Sequence, residues 1–144
     1  MKALSIWQPW AQLIVTGRKK IETRGWLAPP SIIGQRIAIT STKAIRREQR
    51  EAANDPEFAR HYAASGLPAL DNLPLGAVLG TVTILGCLAI DLELMDQLSE
   101  QELAFGWYEP GRYAWLLAEP LLLADPIPAK GRQGLWNWGL PWPH

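Results

Sequence analysis

Apolar positions fall in short runs separated by glycine and proline, and the first half of the chain alternates strand-like and helix-like periods. Lys2–Ile6 predicts a strand. Gln8-Pro9 then opens a helix, with proline at the first helical position, where a missing N–H costs nothing. Trp10, Leu13 and Ile14 stand at i, i+3 and i+4 and make one apolar stripe, and Gly17 ends the helix as a left-handed cap. Lys19–Trp26 predicts the next strand, closed by Pro29-Pro30. Arg36–Thr40 predicts a third, with Ile37 and Ile39 on one face.

Lys43–Asn54 is a charged segment of good helix formers, interrupted at Asp55-Pro56 and resumed over Pro56–Ala64 as far as Gly66 and Pro68. Being mostly polar, this insert is expected to lie outside the core. After a turn at Asn72–Gly76, Ala77–Ile90 is strand-like and divided by Gly80 and Gly86, which mark bulges or barrel corners. Ser99-x-x-Glu102 matches a capping box for a short helix. Gly111-Arg112-Tyr113 opens a strand running to Leu117, and Pro120, Pro126 and Pro128 punctuate an extended segment after it. Gly131–Gly134 turns into a last strand, Leu135–Trp138. The expectation is a mainly β, α+β fold: a small β-barrel with helical inserts, in one domain over residues 1–144.

Composition changes this picture in two ways. Eight Trp against two Phe suggest an aromatic-lined surface as well as a core. The net charge is zero, which argues against a generic nucleic-acid coat, yet the charges are unevenly spread. Residues 1–60 hold eleven basic and five acidic side chains, and residues 61–125 hold nine acidic ones and only Arg112. Such asymmetry makes one face basic unless the charges interleave in space. Cys87 is alone, so no intrachain disulfide forms, and it is expected to be buried and inert. No run reaches the roughly 18 apolar residues of a membrane span. Arg18-Lys19-Lys20 follows the N-terminal apolar segment where a cleavage site would stand, so a cytoplasmic protein without a membrane role is expected. His61 and His144 lie far apart and no ligand cluster accompanies Cys87, so neither a metal nor a cofactor is expected. Asp91, Glu93 and Asp96 look like a solvated loop.

Gly17–Arg24 carries the pattern G-x-K-x-x-E-x-R, after a strand, the segment Trp7-Gln8-Pro9-Trp10 and a helix. Together with the strands Ile37–Ser41 and Tyr113–Trp115 and the ending Pro126–Gly131, it resembles the ASCH domain family over nearly the whole chain. The resemblance implies a PUA-like barrel with a cleft facing RNA or a nucleotide. The family's roles include RNA binding, RNA cleavage and amide hydrolysis on acylated nucleosides, so it speaks to fold more than to reaction.

Glu22 and Arg24, two apart in a strand, share a face, and Lys19 at the joint can reach the same cleft. Arg24 can grip a phosphate in bidentate fashion, and Lys19 can act as a point charge or, if burial lowers its pKa, as a base. A carboxylate repels a phosphate backbone. Glu22 is therefore either neutralised by its cationic neighbours or used, as an acceptor for a base amine or as a general base. Lys19, Glu22 and Arg24 are the candidate catalytic residues. Trp7, as a stacking platform, and Gln8, at the helix start, are candidates for substrate binding, as are Ser41, Lys43 and Lys130. Each also has a structural alternative: core packing for Trp7, a helix cap for Ser41, a solvated face for Lys43 with Arg46, Arg47 and Arg50, and a plain turn at Lys130.

Three functions remain open. One is recognition of single-stranded RNA or a nucleotide. Another is metal-independent hydrolysis, as a ribonuclease or as an amidohydrolase on acylated cytidine. In members resembling the amidohydrolase a threonine stands in the place of Glu22, which weighs against that version. The third is a protein partner bound by an aromatic patch of Trp107, Tyr108, Trp136, Trp138 and Trp142.

Overall fold

Nearly continuous buried runs in the central strands and glycine-relieved bulges produce a single curled sheet. The structure, a computed structural model, describes residues 1–139. The strands are β1 (Lys2–Ile6), β2 (Ile21–Arg24), β3 (Arg36–Ser41), β4 (Ala77–Ala89), β5 (Tyr113–Pro128) and β6 (Leu135–Asn137), ordered β2-β5-β4-β3-β1-β6. β1 and β3 are parallel, with Ala3 opposite Ala38 and Ile6 opposite Ser41; the other pairs are antiparallel. The sheet is a half-barrel with PUA-like form, and β2 and β6 are its two edges.

Helix α1 (Trp10–Val15) joins two cores. Its Ala11, Ile14 and Val15 pack with Leu4, Ile37, Ile39, Leu79, Ile84 and Trp115 of the sheet. Its Leu13 faces α2 (Arg47–Ala53), α3 (Pro56–Ala64) and α5 (Glu100–Phe105) through Ala53, Phe58 and Phe105. The polar insert therefore contributes to a core, contrary to expectation, because Phe58 at 2% exposure docks it on α1.

Several boundaries differ from the sequence reading. Pro9 is the residue before α1 and not its first residue. The helix expected from Lys43 starts only after Arg46, whose backbone N–H donates to the Gln49 side chain at 2.9 Å. β4 does follow the expectation: it is one strand whose register with β5 slips at Gly80 and Gly86, as bulges. β5 runs through Pro120 and Pro126. β2 pairs only with Tyr113–Leu116, which leaves one edge of β5 beyond it open to residues without an N–H. Asp91, Glu93 and Asp96 belong to the start and body of a short helix, α4 (Leu92–Asp96), with Asp91 accepting from Leu94 N at 2.8 Å. Cys87 is half-buried, not buried, and accepts from Ala28 N at 3.5 Å.

Candidate functional site

The strand parity of β2 places Glu22 and Arg24 on one face, in a cleft of about 1200 Å³. Arg24 Nε donates to Glu22 Oε2 at 3.1 Å, and its Nη2 lies 3.1 Å from the same oxygen. The same Nη2 donates to the Ser5 carbonyl at 2.9 Å, so the guanidinium ties β2 across the cleft to β1.

Lys19 reaches this cleft from behind. The left-handed turn at Gly17 brings Lys19 N to the Leu13 carbonyl at 3.0 Å, and the side chain then turns inward. That side chain is 1% exposed, with Nζ donating to the Ile21 carbonyl and lying 3.8 Å from Glu102 Oε2. Burial presses its pKa down, and the charges of Glu102 and Glu22 oppose this. Lys19 is thus part of the floor of the cleft and not a free point charge for phosphate.

Sequence reasoning misses Glu102 in this place, although Ser99-x-x-Glu102 is legible as a helix start. Ser99 Oγ does cap α5 by accepting from Glu102 N at 3.1 Å, but the reciprocal half of the box is absent. The Glu102 carboxylate instead accepts from Lys20 N and from the Tyr108 hydroxyl, the latter at 3.1 Å. Tyr108 is buried, and its phenol pKa is pushed well above the usual range by burial first and then by Glu102. Arg112 is a second cation that sequence reasoning misses. It donates to the Thr23 carbonyl at 3.1 Å and lies 3.9 Å over the Trp107 ring. Its pKa is lowered, chiefly by burial.

Aromatic rings complete the walls. Trp7 is 36% exposed and Trp26 is 40% exposed, and both line the cleft with Trp10, Phe58, Phe105 and Trp107. Trp26 stands edge-on to the buried Trp115, with centroids 4.8 Å apart. Flat apolar walls beside one carboxylate and two guanidiniums suit a planar heteroaromatic ring that bears an amine and an attached anionic group.

Other candidates are placed elsewhere. Gln8 is fully buried, donating to the Pro74 carbonyl at 2.9 Å and accepting from Gln12 N at 2.9 Å, so it holds α1 and does not reach the cleft. Ser41 is buried and exchanges hydrogen bonds with the Ala77 backbone at 3.3 Å. Lys43 and Lys130 are exposed and do not line the cleft. Among the described residues the proposed aromatic partner patch does not assemble: Tyr108 and Trp138 are buried, Trp136 is half-buried and Trp107 is exposed, at 60%. Trp142 and His144 lie outside the described residues. Among the described residues no group of three or more His, Cys, Asp and Glu is placed to hold a metal, and no helix is long and apolar enough to cross a membrane.

The lowered Lys19 pKa has a consequence for stability. A lysine whose folded pKa lies below its usual 10.5 binds fewer protons when folded, so stability rises with pH up to that value. Tyr108 acts oppositely, since its raised pKa makes stability fall once pH passes its usual 10.0. Chemical denaturation from neutral pH to just below that point is therefore expected to show wild type gaining stability relative to Lys19→Met. Parallel curves for the two proteins would contradict it.

A family model for the ASCH domain matches residues 4–127. The chain is 28% identical over 143 residues to activating signal cointegrator 1 of Homo sapiens, which covers 93% of this chain and 22% of that protein. It is 26% identical over 134 residues to the Mus musculus protein, with 93% and 22% covered. The chain thus spans about a fifth of the length of these curated relatives. Among solved structures, the ASCH protein from Zymomonas mobilis superposes with a TM-score of 0.57 at 19% identity, covering 96% of this chain and 87% of that one. A point-mutant form of that protein gives 0.55 at 19%, covering 96% and 88%. At such identities the likeness is one of fold.

Proposed function

The chain belongs to the ASCH domain family, and from that membership we propose that its cleft binds single-stranded RNA, taking one base between tryptophan walls. The observation that carries this is the pairing of Glu22 with Arg24 on the floor of a cleft whose Trp7 and Trp26 rings are left open to solvent. A purely structural ion pair gains nothing from exposed indoles around it. In the bound state a base stacks on Trp26 or Trp7, the Glu22 carboxylate accepts from its exocyclic amine, and Arg24 or Arg112 meets the adjoining phosphate.

Fluorescence anisotropy with labelled single-stranded oligonucleotides tests this. Affinity is expected to fall with salt, and to favour cytosine- and adenine-rich sequences, whose bases carry amines, over oligo-uridine. Trp26→Ala is expected to weaken binding by about 1–3 kcal/mol. Glu22→Ala is expected to erase the base preference. Binding that is flat with salt, or unchanged by both substitutions, would refute the proposal.

One observation favours a second, catalytic reading. Lys19 is a buried amine with a lowered pKa, beside Glu22 and backed by Glu102, an arrangement suited to moving a proton. A metal-independent ribonuclease or acylcytidine amidohydrolase would use it. Incubation with RNA and with acetylated cytidine in EDTA decides between them: turnover lost in a folded Lys19→Met variant supports the enzyme, and no turnover of either substrate removes it.

A further inference from the structure

We propose that four exposed cations, Lys43, Arg46, Lys130 and Arg132, form a rim that carries the phosphate backbone of a bound RNA strand away from the cleft, a proposal that rests on the cleft being an RNA site. The topology gathers them. Because β1 and β3 are parallel, their C-terminal ends lie together, with Ile6 opposite Ser41 and Thr42 N donating to the Ile6 carbonyl at 3.3 Å. Trp7 therefore starts beside the loop that bears Lys43. Gly76 N donates to the Thr42 carbonyl at 3.0 Å, and Ala129 N donates to the Gly76 carbonyl at 3.0 Å, which brings the segment containing Lys130 to the same place.

Ser5 joins this rim to the floor of the cleft. Its carbonyl accepts from Arg24 Nη2 at 2.9 Å, while its hydroxyl donates to the Arg132 carbonyl. Arg46 completes the arrangement, with its guanidinium 5.9 Å over the Trp7 ring. A strand with one base against Trp7 thus meets Arg46 at once and has Lys43, Lys130 and Arg132 ahead of it.

The charge state of the four separates them from an ordinary solvated surface. All are exposed, and among the described residues none has a carboxylate within 4.0 Å. The neighbouring helical arginines are different: Arg47 pairs with Glu51 and Arg50 with Asp71, each at 2.8 Å. Cations without acidic partners, collected from segments remote in sequence at the end of the sheet that bears Trp7, fit a polyanion. Arg47 and Arg50, each neutralised by its acid and lining no part of the cleft, supply the contrast.

The test compares a trinucleotide and a dodecanucleotide of the same composition, on wild type, on the triple variant Lys43→Ala/Lys130→Ala/Arg132→Ala and on the control Arg47→Ala/Arg50→Ala. The triple variant is expected to bind the trinucleotide as wild type does. It should lose on the order of tenfold or more for the dodecanucleotide at low salt, with a salt slope shallower by about 2. The control should match wild type. Equal dodecanucleotide affinity and slope in wild type and the triple variant would overturn the rim while leaving the cleft intact. A larger loss in the control would also overturn it, as would a triple variant that loses binding to anionic vesicles but not to RNA. Wild type that binds neither oligonucleotide would overturn the rim and the cleft together.

Discussion

Gly80→Ala is expected to unfold the protein, at a cost above about 4 kcal/mol. A Cβ at this position would lie 2.0 Å from the backbone oxygen of Leu121 and 3.0 Å from its carbonyl carbon. Backbone atoms of a paired strand cannot rotate away as a side chain can, so the β4–β5 ladder would have to part on both sides of the bulge. Gly86→Ala is the matching control. Its Cβ would meet only the flexible end of Leu116, at 3.9 Å, and a change within about 1 kcal/mol is expected, as for glycine in a strand. Denaturant midpoints for the pair check this; equal midpoints would show that the close approach at position 80 does not hold the sheet.

The second large effect is on binding. Arg24→Ala removes the guanidinium that pairs with Glu22 and holds the Ser5 carbonyl, leaving a largely buried carboxylate and a carbonyl without that donor. The loss is expected to be about 1–3 kcal/mol of stability and about tenfold or more in RNA affinity, with a salt slope shallower by roughly 0.7. Arg24→Lys keeps the charge but not the fork, since the shorter point-like ammonium has no second nitrogen to replace Nε against Glu22 while Nη2 holds Ser5. It should recover part of the affinity and little of the stability. Anisotropy and denaturation on the same preparations separate the two losses. An Arg24→Ala variant that is destabilised yet binds RNA like wild type would reduce the pair to a structural tie.

The part of the site that is local along the chain is legible in the sequence. Glu22 and Arg24 share a face because strand side chains alternate, and the turn at Gly17 that delivers Lys19 has the positive φ that a helix-ending glycine suggests. Glu102, Tyr108 and Arg112 stand some eighty to ninety residues further on, and only the tertiary fold, which pairs β5 with β2 and sets Glu102 against Lys19 and Lys20, brings them in. A capping-box pattern announces the helix start at Ser99, but not that the Glu102 carboxylate turns to Lys20 and Tyr108. The same limit applies to Gln8. Its place near a helix start suggests a ligand contact, whereas the amide is consumed by Pro74, a partner on a distant loop. For the sheet, glycine positions in β4 foretell bulges, but prolines in β5 suggest interruption, because the short reach of β2 is a tertiary fact.

The most direct test is to follow the indole and Arg Nε signals in nitrogen-correlated NMR spectra while a cytosine-containing trinucleotide is added. Trp7, Trp26 and Arg24 should shift together and saturably, while Trp138, packed among Ala3, Ala38 and Val78 away from the cleft, stays in place. Shifts that leave Trp7, Trp26 and Arg24 untouched, or that gather around Trp138 instead, would contradict a base held between the cleft's tryptophans.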